Sequence, residues 1–371
     1  MRVLIEQRFF AGPDALSLQF LEVFALARDG RHTLLTRPLF GSDDDSLIEA
    51  WLAAQPEPIA QEVRLVLKQG MVNAAKLPAG AAGITLTNAV DSDWKLARFR
   101  LCDAVRLLRK PLGLLLEHRR TDLNFLLALA PPTYRQELRS ALDNGWIEVL
   151  NGGGLGDMQA LIEELQDDAS ASITRKAHLL RLWVMCDRDS APNDRSQPSP
   201  SSERIRTLCE DVSQSGRWPW SLSYHQLGRR TIENYLPAPL LRLWQDAPHG
   251  DERTRRRRAV DALCELRKTR PSAAHQLNMK RGFFGDLAPE IQKQIRETGR
   301  APQDHEFDPL FRGISDPIRK ALSQGFGKDI AQLFVRDCPG FEESFRTEFD
   351  RGRRDHEPSR MAILDSLFAR I

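Results

Sequence analysis

The chain has 371 residues, 41% hydrophobic and 28% charged, and its 53 basic and 51 acidic side chains leave a formal net charge of +2. That composition fits a folded soluble protein of two or three structural units, and the near balance of charge excludes a global field drawing it to nucleic acid or membrane. Cys102, Cys186, Cys209, Cys264 and Cys338 show no CxxC spacing, no apolar run nears the ~20 residues of a bilayer span, and Met1 to Phe10 lacks a signal-peptide core, so a reducing cytoplasm is expected, without disulfide framework, zinc knuckle or membrane anchor.

Residues 1–110 read as a mixed α/β unit with no motif that carries chemistry. Met1 to Phe10, His32 to Pro38 and Gly83 to Thr87 suit strands, while Ser46 to Ala54 and Ile59 to Gly70 have helical spacing. Apolar residues from Trp94 to Leu108 predict an amphipathic helix over Asp91 to Lys110, capped by Asp91 or Ser92 and stopped by Pro111. It feeds directly into the next strand, so this unit is expected to pack on the centre of the molecule.

Residues 111–238 alternate strands and helices in the manner of a parallel βαβ sheet. Leu112 to Leu116 is an apolar run closed by Glu117, and Leu182 to Cys186 is another, closed by Asp187 and Asp189. Such runs are buried strands whose C-terminal ends meet solvent, and ligands bind at those ends. Thr121 to Ala130 and Pro132 to Asn144 are helical, Trp146 to Leu150 is a strand, Leu155 to Leu165 and its neighbour up to Leu180 are helical, and Glu203 to Ser215 precedes a strand-like Trp218 to His225. Asn151-Gly152-Gly153-Gly154 lacks the Lys-Ser/Thr of a phosphate loop and reads as a strand-to-helix turn. The polar segment Ser190 to Ser202 is either a flap over the acids or a disordered crossover. His225 reads as a surface or core histidine.

Carboxylates gathered at adjacent strand ends repel one another and are costly to hold together unless a cation neutralises them. Oxygen donors of this kind suit Mg²⁺ or Mn²⁺, and the absence of clustered His and Cys argues against zinc. Glu117, Asp187 and Asp189 are therefore the expected catalytic metal ligands, with Asp122, one helical turn on, a further candidate. Glu117 can alternatively move a proton. Arg119, Arg120 and Arg188 lie beside the acids and can contact phosphate oxygens.

Leu115-Leu116-Glu117-His118-Arg119-Arg120-Thr121-Asp122, then Cys186-Asp187-Arg188-Asp189-Ser190, and finally Ile232-Glu233-Asn234-Tyr235-Leu236 resemble the toprim domain of nucleases. The similarity is greatest to the OLD type and its relatives in bacterial anti-phage defence. It covers roughly Leu112 to Leu236, about a third of the chain. One departure is His118, where the family commonly has Gly. The resemblance implies a toprim-like, mainly parallel sheet flanked by helices, and a metal-dependent hydrolase of DNA or RNA that acts as a defence or toxin effector. It also implies control by a partner ATPase, since the chain itself has no Walker motif, and it allows a homo-oligomer. Glu233 and Asn234 can sit near the metal site, but Tyr235 and Leu236 read as packing, and the segment reads as mainly structural. With only Tyr134, Tyr224 and Tyr235 available, no topoisomerase nucleophile is evident. The alternative is a non-catalytic toprim-like scaffold or nucleic-acid-binding subunit.

Residues 239–371 read as mostly helical, over Pro239 to Gln245, Arg255 to Lys268, Ala288 to Arg296, Pro317 to Ser323 and Ile330 to Val335. Arg255, Arg256, Arg257 and Arg258 form the sharpest charge run and are candidates for a phosphate grip, although a solvated helix face explains such a run equally well. The stretch around Asn278 to Lys280 can return Lys280 to the acids, but nothing in the sequence forces it.

Overall fold

A computed structural model describes the whole chain except residues 42–45, 78–80, 169–171, 337–339, 352 and 354–356. Cys338 lies outside the described residues, and the other four cysteines are free thiols. No helix among the described residues is long and apolar enough to cross a membrane.

The apolar runs of the first 110 residues pair into a four-stranded sheet in the order β2-β1-β3-β4. Its strands are β1 (Arg2–Glu6), β2 (Thr33–Arg37), β3 (Gly83–Leu86) and β4 (Arg98–Phe99), and every pairing is parallel. Helix α1 (Leu18–Arg28) crosses from β1 to β2, α2 (Ser46–Ala53) and α3 (Glu57–Ala74) cross from β2 to β3, and α4 (Leu101–Arg109) leads from β4 into the central sheet. Beyond β1 the chain tightens into a 3₁₀ turn, Gln7–Ala11, that buries Phe9 and Phe10 against Phe20 and Trp51. Helix α1 carries no periodicity clear enough to foresee; Ser17 caps it by accepting the Phe20 N–H.

The helix expected over Asp91 to Lys110 is shorter than its apolar spacing suggests. Asp93 and Arg98 bond backbone to backbone, Ala97 turns back at φ 54, and Arg98 and Phe99 join β3 as a strand. Only from Leu101 does the helix run. Ser92 serves it from outside, accepting the Arg100 N–H at 3.1 Å and donating to Asp103 at 2.8 Å.

The central sheet has the order β6-β5-β7-β8, again all parallel. Its strands are β5 (Leu112–Leu116), β6 (Ile147–Asn151), β7 (Leu182–Cys186) and β8 (Ser223–Gln226), and β5 and β7 are buried along their whole length. Leu115, Val184 and Cys186 face a core with α7 (Leu155–Asp168) and α9 (Pro200–Gln214). Leu112, Leu114, Leu116, Trp183 and Met185 face the other side, with α5 (Arg119–Leu129) and α6 (Pro132–Asp143). This second core continues without a break into the helical C-terminal third, from Leu240 to Leu367. The N-terminal unit shares Ala177 and Leu180 of α8 (Ile173–Leu180) in its own core, so it packs on the centre as its direct connection to β5 suggests.

The C-terminal third contains α10 (Ala238–Asp246), α11 (Gly250–Thr269), α12 (Pro271–Gln276), α13 (Pro289–Thr298) and α14 (Asp316–Ala321). It continues with α15 (Leu333–Arg336), α16 (Glu342–Asp350) and α17 (Arg360–Phe368). The single helix expected at Ile330 to Val335 is a 3₁₀ turn, Lys328–Gln332, followed by α15.

Candidate active site

In the central sheet the chain leaves β5 towards β6 on one side and comes back to β7 on the other. A parallel sheet opens a crevice at such a reversal, beyond the carboxyl ends of the two strands. Glu117 follows β5 directly, and Asp187 and Asp189 follow β7. The acids thus come from the two strands that border the reversal.

His118 has extended backbone, φ −128 and ψ 101, and needs no left-handed turn and so no glycine. The tight approach falls on the neighbouring loop instead. Gly152 donates its N–H to the Leu116 carbonyl and Gly153 to that of Glu117, and a Cβ on Gly152 would lie 2.2 Å from Met158. The glycine run therefore braces the Glu117 turn as a strand-to-helix connection.

Asp189 itself is left-handed, at φ 47, and donates its N–H to the Arg230 carbonyl at 2.7 Å. Aspartate tolerates that region at a cost of ~1 kcal/mol. Strain held in place by its surroundings is a mark of functional sites. Asp187 accepts the Ile232 N–H at 3.1 Å, which ties β7 to the 3₁₀ turn Ile232–Tyr235.

That turn brings in a fourth acid. Glu233 is 2% exposed and pairs with Lys280 at 3.0 Å. The structural role expected of the Glu233 segment falls to Asn234, which closes a capping box with Thr231 and donates to the Ala274 and Leu277 carbonyls. Lys280 does return to the acids. Asp122, by contrast, uses both oxygens locally, accepting the His118 N–H at 2.9 Å and the Thr121 hydroxyl at 3.1 Å.

Burial, reinforced by the charge of Asp189 and Asp122, pushes the Glu117 carboxyl up to about 7. Burial also lifts Asp187 well above the usual carboxylate range, with Glu117 and Glu233 adding to it. Asp189 rises for the same first reason, moderated by Arg230 and Lys280, and burial raises Asp122. Burial would lower Lys280, but the Glu233 carboxylate outweighs it and holds the ammonium protonated.

Among the described residues no three His, Cys, Asp or Glu side chains converge into a ready-formed ion cage. The donor chemistry nevertheless suits a divalent cation. Glu117 Oε2 and Glu233 Oε2 are buried with no hydrogen-bond partner, and such orphaned acceptors are costly without a ligand. Mutual repulsion among hard oxygen donors is the condition that Mg²⁺ or Mn²⁺ relieves.

The basic residues divide. Arg119 and Arg120 are exposed beside Glu117, with no ion pair among the described residues. Arg188 turns away to the Ser196 carbonyl. It thereby helps hold the Ser190 to Ser202 segment, which is ordered: Ser190 donates to Gln276, Arg195 reaches the Asp286 carbonyl, and the Arg195 N–H reaches Asp308. On α11, Arg255 forks onto Glu252, Arg256 pairs with Glu252 and lies 4.2 Å over Trp244, and Arg257 approaches Asp261 at 4.0 Å, while Arg258 is exposed. Much of that run is thus spent on neighbouring carboxylates, as a solvated face would be. His225 is half-buried with its ring tilted against Trp183 at 5.3 Å, its pKa pushed down to about 4 by burial.

Comparison with family models, with curated proteins and with solved structures finds no match to this chain.

Proposed function

We propose that the chain is a metal-dependent nuclease with a toprim-like centre, cutting DNA or RNA as a defence effector under the control of a partner. The observation that carries this reading is the set of acids at the β5/β7 crevice, with two buried carboxylate oxygens unpartnered. Glu117, Asp187 and Asp189 would hold Mg²⁺ or Mn²⁺, with Glu233 the added acid and Asp122 fixing the turn behind Glu117. Such an ion, when bound, acidifies a water and neutralises charge on a phosphodiester.

The chain's own residues supply the rest. Lys280 keeps an ammonium beside the acids, where it attracts a phosphate oxygen. Arg119 and Arg120 stand at the exposed rim and suit the strand's backbone. Glu117, whose carboxyl burial pushes up to about 7 in the metal-free fold, is the alternative proton carrier if it does not ligate the ion. A cytoplasmic setting accords with the free thiols.

The test is Mn²⁺ calorimetry on the full chain and on Asp187→Ala, run beside cleavage of plasmid, single-stranded DNA and tRNA. The expected result is saturable binding and cutting of one substrate, both lost in a variant that keeps its fold. Equal Mn²⁺ uptake by the two proteins would leave the acids without a site and favour a non-catalytic subunit.

A further inference from the structure

The loop that carries Asp189 is tied on both sides of that residue to one buried carboxylate. Asp286, its side chain 3% exposed, accepts from Arg230 Nη1 at 2.9 and 2.8 Å on its two oxygens, and the Arg195 guanidinium stands 3.7 Å away. On one side, the Arg230 carbonyl accepts the Asp189 N–H at 2.7 Å, and the Arg230 N–H in turn reaches the His275 carbonyl at 3.0 Å. On the other, Arg195 Nη1 donates to the carbonyl of Ser190, the next residue, at 3.4 Å, while Ser190 Oγ donates to Gln276 at 3.1 Å. Arg230 Nη1 also reaches the Gln276 carbonyl at 3.3 Å, which closes the contacts into a ring through Asp286, Arg230, Gln276, Ser190 and Arg195. Asp189, left-handed at φ 47, is the residue this ring spans.

Asp286 belongs to the segment that serves the acids. Lys280, paired with Glu233 at 3.0 Å, lies six residues before it. Between them Gly282 sits at φ +65, where a Cβ would lie 2.0 Å from the Leu322 carbonyl. Phe283 and Phe284 donate their N–H groups to the Leu322 and Ser323 carbonyls, and Phe326 donates to the Met279 carbonyl. The Asp286 carboxylate thus ties a firmly held segment, the one bearing Lys280, to the turn after β7. Two guanidiniums on one buried carboxylate are a poor source of stability, because the cost of taking such ions out of water offsets their attraction and apolar side chains commonly replace them at no loss. A satisfied polar network does supply one defined arrangement, and an aspartate in the disfavoured left-handed region depends on its surroundings to stay there.

We propose that Arg195, Asp286 and Arg230 are positioning residues for Asp189: they fix its carboxylate at the β5/β7 crevice and contribute little to global stability. The hold on Asp189 stands on the contacts alone, whereas its effect on a bound ion rests on the nuclease reading.

The experiment compares the full-length parent with a combined variant, Arg195→Met with Asp286→Leu and Arg230→Met, and with Arg230→Lys alone. Three quantities are read: the melting temperature, amide hydrogen exchange at Asp189 and at Val184 in β7, and Mn²⁺ affinity by calorimetry. The combined variant is expected to melt within a few degrees of the parent. Its Asp189 amide is expected to exchange at least about tenfold faster, with Val184 unchanged, and Mn²⁺ to bind about tenfold more weakly. Arg230→Lys, which keeps a cation against Asp286, is expected to hold both the Asp189 exchange rate and the Mn²⁺ affinity within about threefold of the parent. Asp189 exchange that stays at the parent's rate, or that quickens only together with Val184, overturns the positioning role. A fall in melting temperature beyond about ten degrees makes the cluster structural and overturns it likewise. Unchanged Mn²⁺ affinity with Asp189 released overturns the service to the ion. Failure of the parent to bind Mn²⁺ at all, with Asp189 released in the combined variant, strikes the nuclease reading and leaves the positioning role standing.

Discussion

Asp189 combines two demands on one residue, a left-handed backbone and a charge directed at its neighbours. Asparagine meets the first and not the second. Asp189→Asn should therefore keep the fold and its melting temperature within a few degrees while losing divalent-ion binding, as calorimetry beside a thermal melt will show. Glu117 gives the complementary prediction. Its carboxyl titrates at 4.5 ordinarily and at about 7 in the fold, so between those values the folded state holds the extra proton. Its contribution to stability is present below pH 4.5 and lost as pH rises through about 7. Metal-free Glu117→Gln should be more stable than the parent at pH 8 by roughly 1–3 kcal/mol, and denaturant melts across pH should show its slope flattened. A stability gain confined to pH below 4 would contradict this account. The strand-end acids were legible because an apolar run that stops at a carboxylate marks its own end. Glu233 and Lys280 were legible only as open possibilities, since their meeting depends on packing 47 positions apart in the chain, and no local spacing records it.

The elements around the acids are fixed by close contact more than by propensity. The stretch from Asn278 to Asp286 is strapped to the turn after α14, and its geometry turns on Gly282. Gly282→Ala adds a Cβ into backbone at a positive φ, where neither partner can yield. It should cost about 2 kcal/mol or more and displace Lys280, read as a lower urea midpoint together with lost cleavage. The parallel strands of the centre were readable from their apolar runs and crossovers. The Asp91 to Lys110 stretch was misread because its apolar periodicity continues through a strand, and only the Asp93 to Arg98 turn, invisible to periodicity, divides it.

The C-terminal helices and the central sheet fold around one continuous core, pinned by a buried ion pair. Arg229, 2% exposed, donates to Glu348 and to the Asn234 carbonyl, with its guanidinium 4.6 Å over Tyr235. Removing Arg229 leaves Glu348 only the longer contacts with Arg351 at 3.3 Å and Arg267 at 3.6 Å and strips the Asn234 carbonyl of a donor, so Arg229→Met should cost about 2–4 kcal/mol in chemical denaturation. A fragment ending at residue 238 strips the apolar cover from Leu112, Leu114 and Trp183, and should aggregate or lack near-ultraviolet dichroism. The sequence did indicate helices beyond 239 and a sheet before it; that the two share an interior follows from which faces meet, which composition does not encode.

The strand order of the central sheet is also that of the N-terminal sheet, with the first strand flanked by the second and third. Where β5 is followed by Glu117, β1 is followed by Gln7 and a turn packed with phenylalanine. The molecule therefore carries a second frame of like topology in which the turn after β1 is plugged with rings and the carboxylate that ends β1, Glu6, is paired with Arg98 at 2.7 Å. An ion titrated into the chain thus meets one strand-end carboxylate already neutralised by an arginine, at Glu6, and another, at Glu117, with a buried oxygen still unpartnered.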